Sequence, residues 1–124
     1  MAYEKYLLSV SLEAESDMTD KHYTAVKVSN PFKCDTAASA AEAVGIVTNN
    51  PRLGMSATVV NSGVTKIKVA SGAKVTAGKG IAITNGEASG EGAYGVCLET
   101  VTGPALATIL LGTVAGAAAT GVSE

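Results

Sequence analysis

The sequence, 124 residues long, contains no tryptophan, a single phenylalanine (Phe32) and four tyrosines. A core must therefore be built from Val, Ile, Leu and Ala. Such side chains fill a thin sandwich or narrow barrel better than they line a deep ligand pocket. The same scarcity argues against a carbohydrate platform, because sugars stack on Trp or Tyr.

Histidine is nearly absent as well. His22 stands alone beside Asp20 and Lys21 in a polar stretch, so a triad or dyad would have to be completed by a distant nucleophile. The two cysteines, Cys34 and Cys97, have no second Cys or His at metal-ligand spacing. Reduced, packed thiols are the favoured reading, and a disulfide between them stays open. No run approaches the ~20 apolar residues that span a bilayer. The opening Met1-Ala2-Tyr3-Glu4-Lys5-Tyr6 lacks the basic and apolar regions of a signal peptide. A protein made in a cytoplasm, with no membrane partner, is the expectation.

Charge of one sign is also missing. The formal net charge is −2 and the pI is near 5.4. A nucleic-acid footprint shows as a pI above about 9 with clustered Lys and Arg, so no nucleic-acid partner is expected. The acids Glu13, Glu15, Asp17 and Asp20 share one polar stretch, but their spacing is not that of a calcium loop and they read as solvated. Ala73-Lys74-Val75-Thr76-Ala77-Gly78-Lys79-Gly80 grazes the phosphate-loop pattern. It has Ala73 where that loop needs Gly and Gly80 where it needs Ser or Thr. Lys66, Lys68, Lys74 and Lys79 form at most a mildly basic face of the kind that protects edge strands. No catalytic, cofactor-binding or metal-binding residues emerge, and no enzyme is expected.

What is present is a repeat. Residues 43–64 and 93–114 read as one segment displaced by fifty positions (93 − 43) without a gap. Ala43-Val44-Gly45-Ile46 corresponds to Ala93-Tyr94-Gly95-Val96, and Ala57-Thr58-Val59-Val60 to Ala107-Thr108-Ile109-Leu110. A second echo, displaced by fifty-five (78 − 23), relates Tyr23–Asn30 to Gly78–Asn85. The five-residue difference falls in the loop before Ala43.

The local pattern predicts strands over 3–11, 23–29, 44–48, 57–61, 65–69, 81–84, 94–99 and 107–112. Asn30-Pro31, Ser62-Gly63, Ser71-Gly72, Asn85-Gly86 and Thr102-Gly103-Pro104 read as turns. Asp35–Ala43 reads either as a helical turn or two or as a compact loop, and 88–92 as loop. The fold class is all-β: a compact β-sandwich or small barrel built from two similar halves, with an extended N-terminal arm. The expected organisation is an arm and polar turn over 1–20, one β domain over 21–112, and a flexible Gly/Ala-rich tail over 113–124.

Several of these segments together resemble a known family. They are Ser16-Asp17-Met18-Thr19, Ala43-Val44-Gly45-Ile46-Val47, Asn49-Asn50-Pro51, Gly63-Val64-Thr65-Lys66-Ile67-Lys68, Gly95-Val96-Cys97-Leu98-Glu99 and Ile109-Leu110-Leu111-Gly112. Over residues 3–112 the chain resembles the small capsid decoration (cement) proteins of tailed bacteriophages. The resemblance implies an accessory protein on the outer surface of an assembled head, where it stabilises the shell by bridging subunits of the major capsid protein. It also implies a homo-oligomer, with trimers a common solution. Tyr3, Tyr6, Leu7 and Leu8 of the arm are the expected contact with the capsid or a neighbouring subunit. A β-sandwich binding module for carbohydrate or a host receptor is the alternative.

Overall fold

Thr65-Lys66-Ile67-Lys68-Val69 alternates strictly between apolar and basic residues, and the alternation is realised: Thr65, Ile67 and Val69 are buried while Lys66 and Lys68 are half-buried. The strand that carries it is longer than expected. In the structure, a computed structural model that describes residues 5–112, the strands are β1 (Lys5–Ala14), β2 (Thr24–Asn30), β3 (Lys33–Thr36), β4 (Gly45–Val47), β5 (Ser56–Val69), β6 (Lys74–Val75), β7 (Gly80–Thr84), β8 (Glu87–Gly92), β9 (Val96–Cys97), β10 (Val101–Thr102) and β11 (Ala105–Leu111). No helix occurs among the described residues, so the chain is all-β as expected.

Two closed rings share β5. In the first, β1 pairs with β3, β3 with β2, β2 with β4, β4 with β5, and β5 returns to β1. In the second, β5 pairs with β8, β8 with β7, and β11 with both β9 and β5. The Ile81–Tyr94 bridge and the bond from Cys97 N–H to Lys79 O (2.8 Å) close it between β7 and β9. Closure leaves few unpaired strand edges, which is how small β proteins avoid edge-to-edge association.

The rings are register-for-register copies. Ile46 and Val47 of β4 oppose Val60 and Val59 of β5; fifty positions on, Val96 and Cys97 of β9 oppose Leu110 and Ile109 of β11. Val26 and Lys27 oppose Thr36 and Asp35; fifty-five positions on, Ile81 and Ala82 oppose Glu91 and Gly90. The repeat extends further than the sequence shows. β1 lies antiparallel to β5 with Leu12 opposite Ala57 and Val10 opposite Val59, and parallel to β3 with Ala14 opposite Cys34. The second half of β5 does the same with Ile67 opposite Ala107, Thr65 opposite Ile109 and Val69 opposite Ala88. β5 is thus the last stave of one barrel and the first stave of the next.

Several local expectations change accordingly. Ser62-Gly63 is not a turn: Gly63 sits within β5, paired with Tyr6 on one edge and Leu111 on the other. Its φ of 112° bends the strand where it passes between barrels. Residues 33–36 and 87–92 are strands rather than loop or helix, because each is the return arm of a hairpin, from β2 and β7 respectively. β9 is shorter than the expected 94–99. Residues 5–14 of the expected arm are extended as β1, a stave of the first barrel. The tail, 113–124, lies outside the described residues.

Two cores follow from the two rings. The first barrel is filled by Ala14, Met18, Val26, Cys34, Val47, Ala57 and Val59. The second core gathers Ile67, Val69, Val75, Ile81, Ile83, Cys97, Ala107, Ile109 and Leu111, joined by Ala25, Ala37 and Ile46 from the first barrel. The extra five residues have a place here. Residues 37–43 form a compact loop whose Ala37, Ala40 and Ala43 pack on the second core. Its Ser39 bridges Thr84, and its Ala38 carbonyl accepts from Asn85 N–H at 3.3 Å. The insertion joins barrel to barrel.

Candidate functional site

The histidine and cysteines weighed for chemistry lie in different surroundings. His22 stacks on Tyr23, ring centroids 3.8 Å apart and 19° from parallel. Cys34 lies in the first core and Cys97 in the second, both as free thiols. Burial, reinforced by Asp35 beside Cys34 and Glu99 beside Cys97, pushes each thiol up to about 11. Both are therefore poor nucleophiles at neutral pH.

Glu15 and Asp17 of the polar stretch, and Asp35 beside it, accept hydrogen bonds. Glu15 accepts hydrogen bonds from Ser29 Oγ and from Asn30 Nδ2, Asp17 Oδ1 accepts from Thr19 N–H at 3.2 Å, and Asp35 Oδ1 accepts from Ser16 Oγ at 2.8 Å. Among the described residues no group of three or more His, Cys, Asp or Glu is arranged to hold a metal ion. The segment that grazes the phosphate-loop pattern forms β6, which pairs with β10, and then turns into β7. An open hollow of about 430 Å³ is lined by Lys68, Val69, Ser71, Glu87, Pro104, Ala105 and Leu106. No helix among the described residues is long and apolar enough to cross a membrane.

Of the expected contact residues, Tyr3 lies outside the described residues. Tyr6 and Leu8 are placed by their backbones in β1, opposite Gly63 and Ser62. Leu7 falls at a register irregularity between them, where β1 has one more residue than its partner.

The exposed apolar side chains that the sequence reading passed over lie elsewhere. Phe32 is 84% exposed, Leu53 65% and Met55 58%. Backbone bonds gather them at one end of the first barrel: Glu13 N–H donates to Phe32 O, and Ala14 N–H to Met55 O, both at 2.9 Å. Phe32 follows Asn30-Pro31 in the β2–β3 turn and has a φ of 60°, a left-handed conformation that is a steric outlier for a bulky side chain. The signal in the sequence was the repeat itself. The matching β7–β8 turn is Asn85-Gly86, with φ of 50° and 82° and no apolar side chain. Leu53 and Met55 correspond to Gly103 and Ala105.

This fold has a solved counterpart. The chain is similar to a structure described as head fiber gp8.5 N base in bacteriophage phi29, with a TM-score of 0.64 and 12% sequence identity, over 85% of this chain and 93% of that one. No family model matches the sequence, and no curated protein matches it. At this identity the similarity establishes a shared fold: the two tandem barrels are an architecture that also occurs in the base of a phage head fibre.

Proposed function

We propose that the protein is a structural component of a phage virion that binds the outer surface of an assembled head and stabilises it by bridging subunits of the major capsid protein. The observation that carries this reading is the correspondence of nearly the whole tandem-barrel fold with the base of a head fibre. The physics is consistent. Closed barrels with small-residue cores resist deformation, and repetition over a lattice turns modest single contacts into avidity.

The N-terminal residues Tyr3, Tyr6, Leu7 and Leu8 are the proposed capsid contact. β1 is a barrel stave, so deleting residues 1–10 would remove the pairing of Ser9 and Val10 with Val60 and Val59 and damage the body. The informative variant is therefore Tyr3→Ala with Tyr6→Ala. Purified protein is incubated with heads that lack it, and co-sedimentation and the temperature of DNA release are measured. Binding of wild type with a raised release temperature supports the function, and its loss in the double variant supports the contact. Wild type that fails to bind heads, or binds them without raising the release temperature, overturns the reading.

A further inference from the structure

The second barrel is covered at the end where its β7–β8 turn meets the first. Ile83 and Thr65 are both buried, and Ile83 belongs to the core that Ala25, Ala37 and Ile46 of the first barrel complete. Ala40 and Ala43 pack against the same core. The cover is held by backbone contacts: Ser39 bridges Thr84, and Asn85 N–H donates to Ala38 O at 3.3 Å. Much of it is one alanine-rich segment, Ala37-Ala38-Ser39-Ala40-Ala41-Glu42-Ala43.

The matching end of the first barrel is open. Fifty-five positions earlier, Val28 and Val10 stand in the places of Ile83 and Thr65, yet they are 53% and 42% exposed. Neither is an outward-facing residue by the alternation of its strand. Val28 shares its face of β2 with the buried Val26, and Val10 shares its face of β1 with the half-buried Leu12 and the buried Ala14. The backbone is open there as well. β1 pairs with β3 at Glu13 and Ala14 only, so the exposed residues Ser9 and Ser11 have no strand on that edge among the described residues.

A segment suited to this end begins close to it. Gly112, the last described residue, lies against Ser62: a Cβ on it would come within 2.7 Å of Ser62 Oγ and 3.2 Å of Ser62 Cα. Ser62 is paired with Leu8 of β1, two residues before Val10. The twelve residues 113–124 reach about 40 Å when extended, far more than this separation needs. Their make-up matches the cover already present on the second barrel. Ala115-Gly116-Ala117-Ala118-Ala119-Thr120 is a second alanine-rich run, and Glu124 is the sole charged residue of the twelve. We propose that residues 113–124 return over the open end of the first barrel and cover Val10 and Val28, as residues 37–43 cover the second barrel. Each barrel is then closed by an alanine-rich segment, one between β3 and β4 and one following β11. This inference is independent of the proposed function, because it concerns a contact within the free protein and needs no capsid.

The test places a nitroxide spin label on the full chain through Ala118→Cys. Cys34 and Cys97 are buried, so the new thiol takes the label. Methyl NMR spectra are compared with the label oxidised and reduced. The Val10 and Val28 methyl signals are expected to be broadened by the oxidised label, and those of Leu106 on the second barrel to keep their intensity. The broadening should persist on dilution. It should be absent from a mixture of spin-labelled protein without isotope and isotope-enriched protein without the label. Val28→Asp, at an exposed position, puts a charge under the cover and should abolish the broadening at Val10. Spectra without selective loss at Val10 and Val28 overturn the proposal. So does broadening in the mixture, which would put the segment on a neighbouring molecule, and so does broadening at Val10 that survives Val28→Asp. Failure of the protein to bind heads would overturn the proposed function and leave this contact standing.

Discussion

Asn49 and Glu99, fifty positions apart, accept the same hydrogen bond. Thr58 N–H donates to Asn49 Oδ1 at 3.0 Å, and Thr108 N–H donates to Glu99 Oε2 at 2.9 Å. Beside each, a backbone bond is also repeated: Thr48 N–H to Thr58 O and Leu98 N–H to Thr108 O, both 2.9 Å. The side chain differs, but its acceptor oxygen occupies the same place in each barrel. Asn49 Nδ2 also donates to Ser56 O at 3.0 Å, so Asn49→Ala is expected to lower stability by about 2 kcal/mol, the ordinary net worth of two such bonds. Glu99→Ala should lower it by a comparable amount, because Glu99 Oε2 also accepts from Thr108 Oγ1 at 2.7 Å. Urea unfolding midpoints measure both, and equal midpoints for Glu99→Ala and wild type would contradict the shared role.

Thr65 carries the opposite imbalance. Its hydroxyl is buried within β5 and has no hydrogen-bond partner. An unsatisfied buried donor costs on the order of 1–3 kcal/mol, and valine has nearly the same shape. Thr65→Val is therefore expected to stabilise the protein by about 1 kcal/mol in urea unfolding. A loss of stability would mean that the hydroxyl is satisfied in solution.

Gly45 and Gly54 separate crowding from backbone strain. Gly54 has a φ of 83° but open space around it, whereas a Cβ on Gly45 would lie 2.6 Å from both Val59 Cγ1 and Val60 O. Gly54→Ala should cost on the order of 1 kcal/mol, the cost of a left-handed non-glycine residue. Gly45→Ala forces β4 and β5 apart inside a closed ring and should cost about 1–3 kcal/mol, as overpacking does. The reverse order in thermal unfolding would reject the close strand approach.

The buried thiols set an alkaline limit. Each is raised from 9.0 to about 11, first by burial and then by a neighbouring carboxylate, Asp35 for Cys34 and Glu99 for Cys97. The folded state therefore holds these protons more tightly than the unfolded state. Their contribution is complete below about pH 9 and is lost as pH rises towards 11. The unfolding temperature of wild type should fall across this window. The Cys34→Ala, Cys97→Ala double variant should start lower, because it leaves cavities, and fall less steeply. Parallel slopes would remove the thiols from the account.

Much of this architecture is legible in one dimension, for a physical reason that can be traced to particular residues. Gly45 and Gly95 recur with the apolar pairs Ile46-Val47 and Val96-Cys97 because each copy must approach its neighbouring strand closely and bury the same face. That periodicity survives as sequence. The third echo, β1 against the second half of β5, is hidden. Inward positions such as Leu12 and Ile67 agree, but Ser9, Val10 and Ser11 face Val64, Thr65 and Lys66 in the alignment. The first stave is exposed on its outer side, and its counterpart is shared between two barrels.

The sequence by itself determined an all-β chain of two similar halves, the fifty- and fifty-five-residue offsets, and the absence of a recognisable catalytic or metal motif. These are properties of strand periodicity, glycine placement and residue type, which act over a few neighbouring positions. Only the tertiary structure decided that Ser62-Gly63 continues a strand instead of turning, because Gly63 finds partners on both edges from distant Tyr6 and Leu111. It also decided that Gly86 is buried while its twin turn exposes Phe32. Local signals make both turns alike. Which of them meets a partner depends on how one barrel lies against the other, and that is set by the packing of residues far apart in the chain.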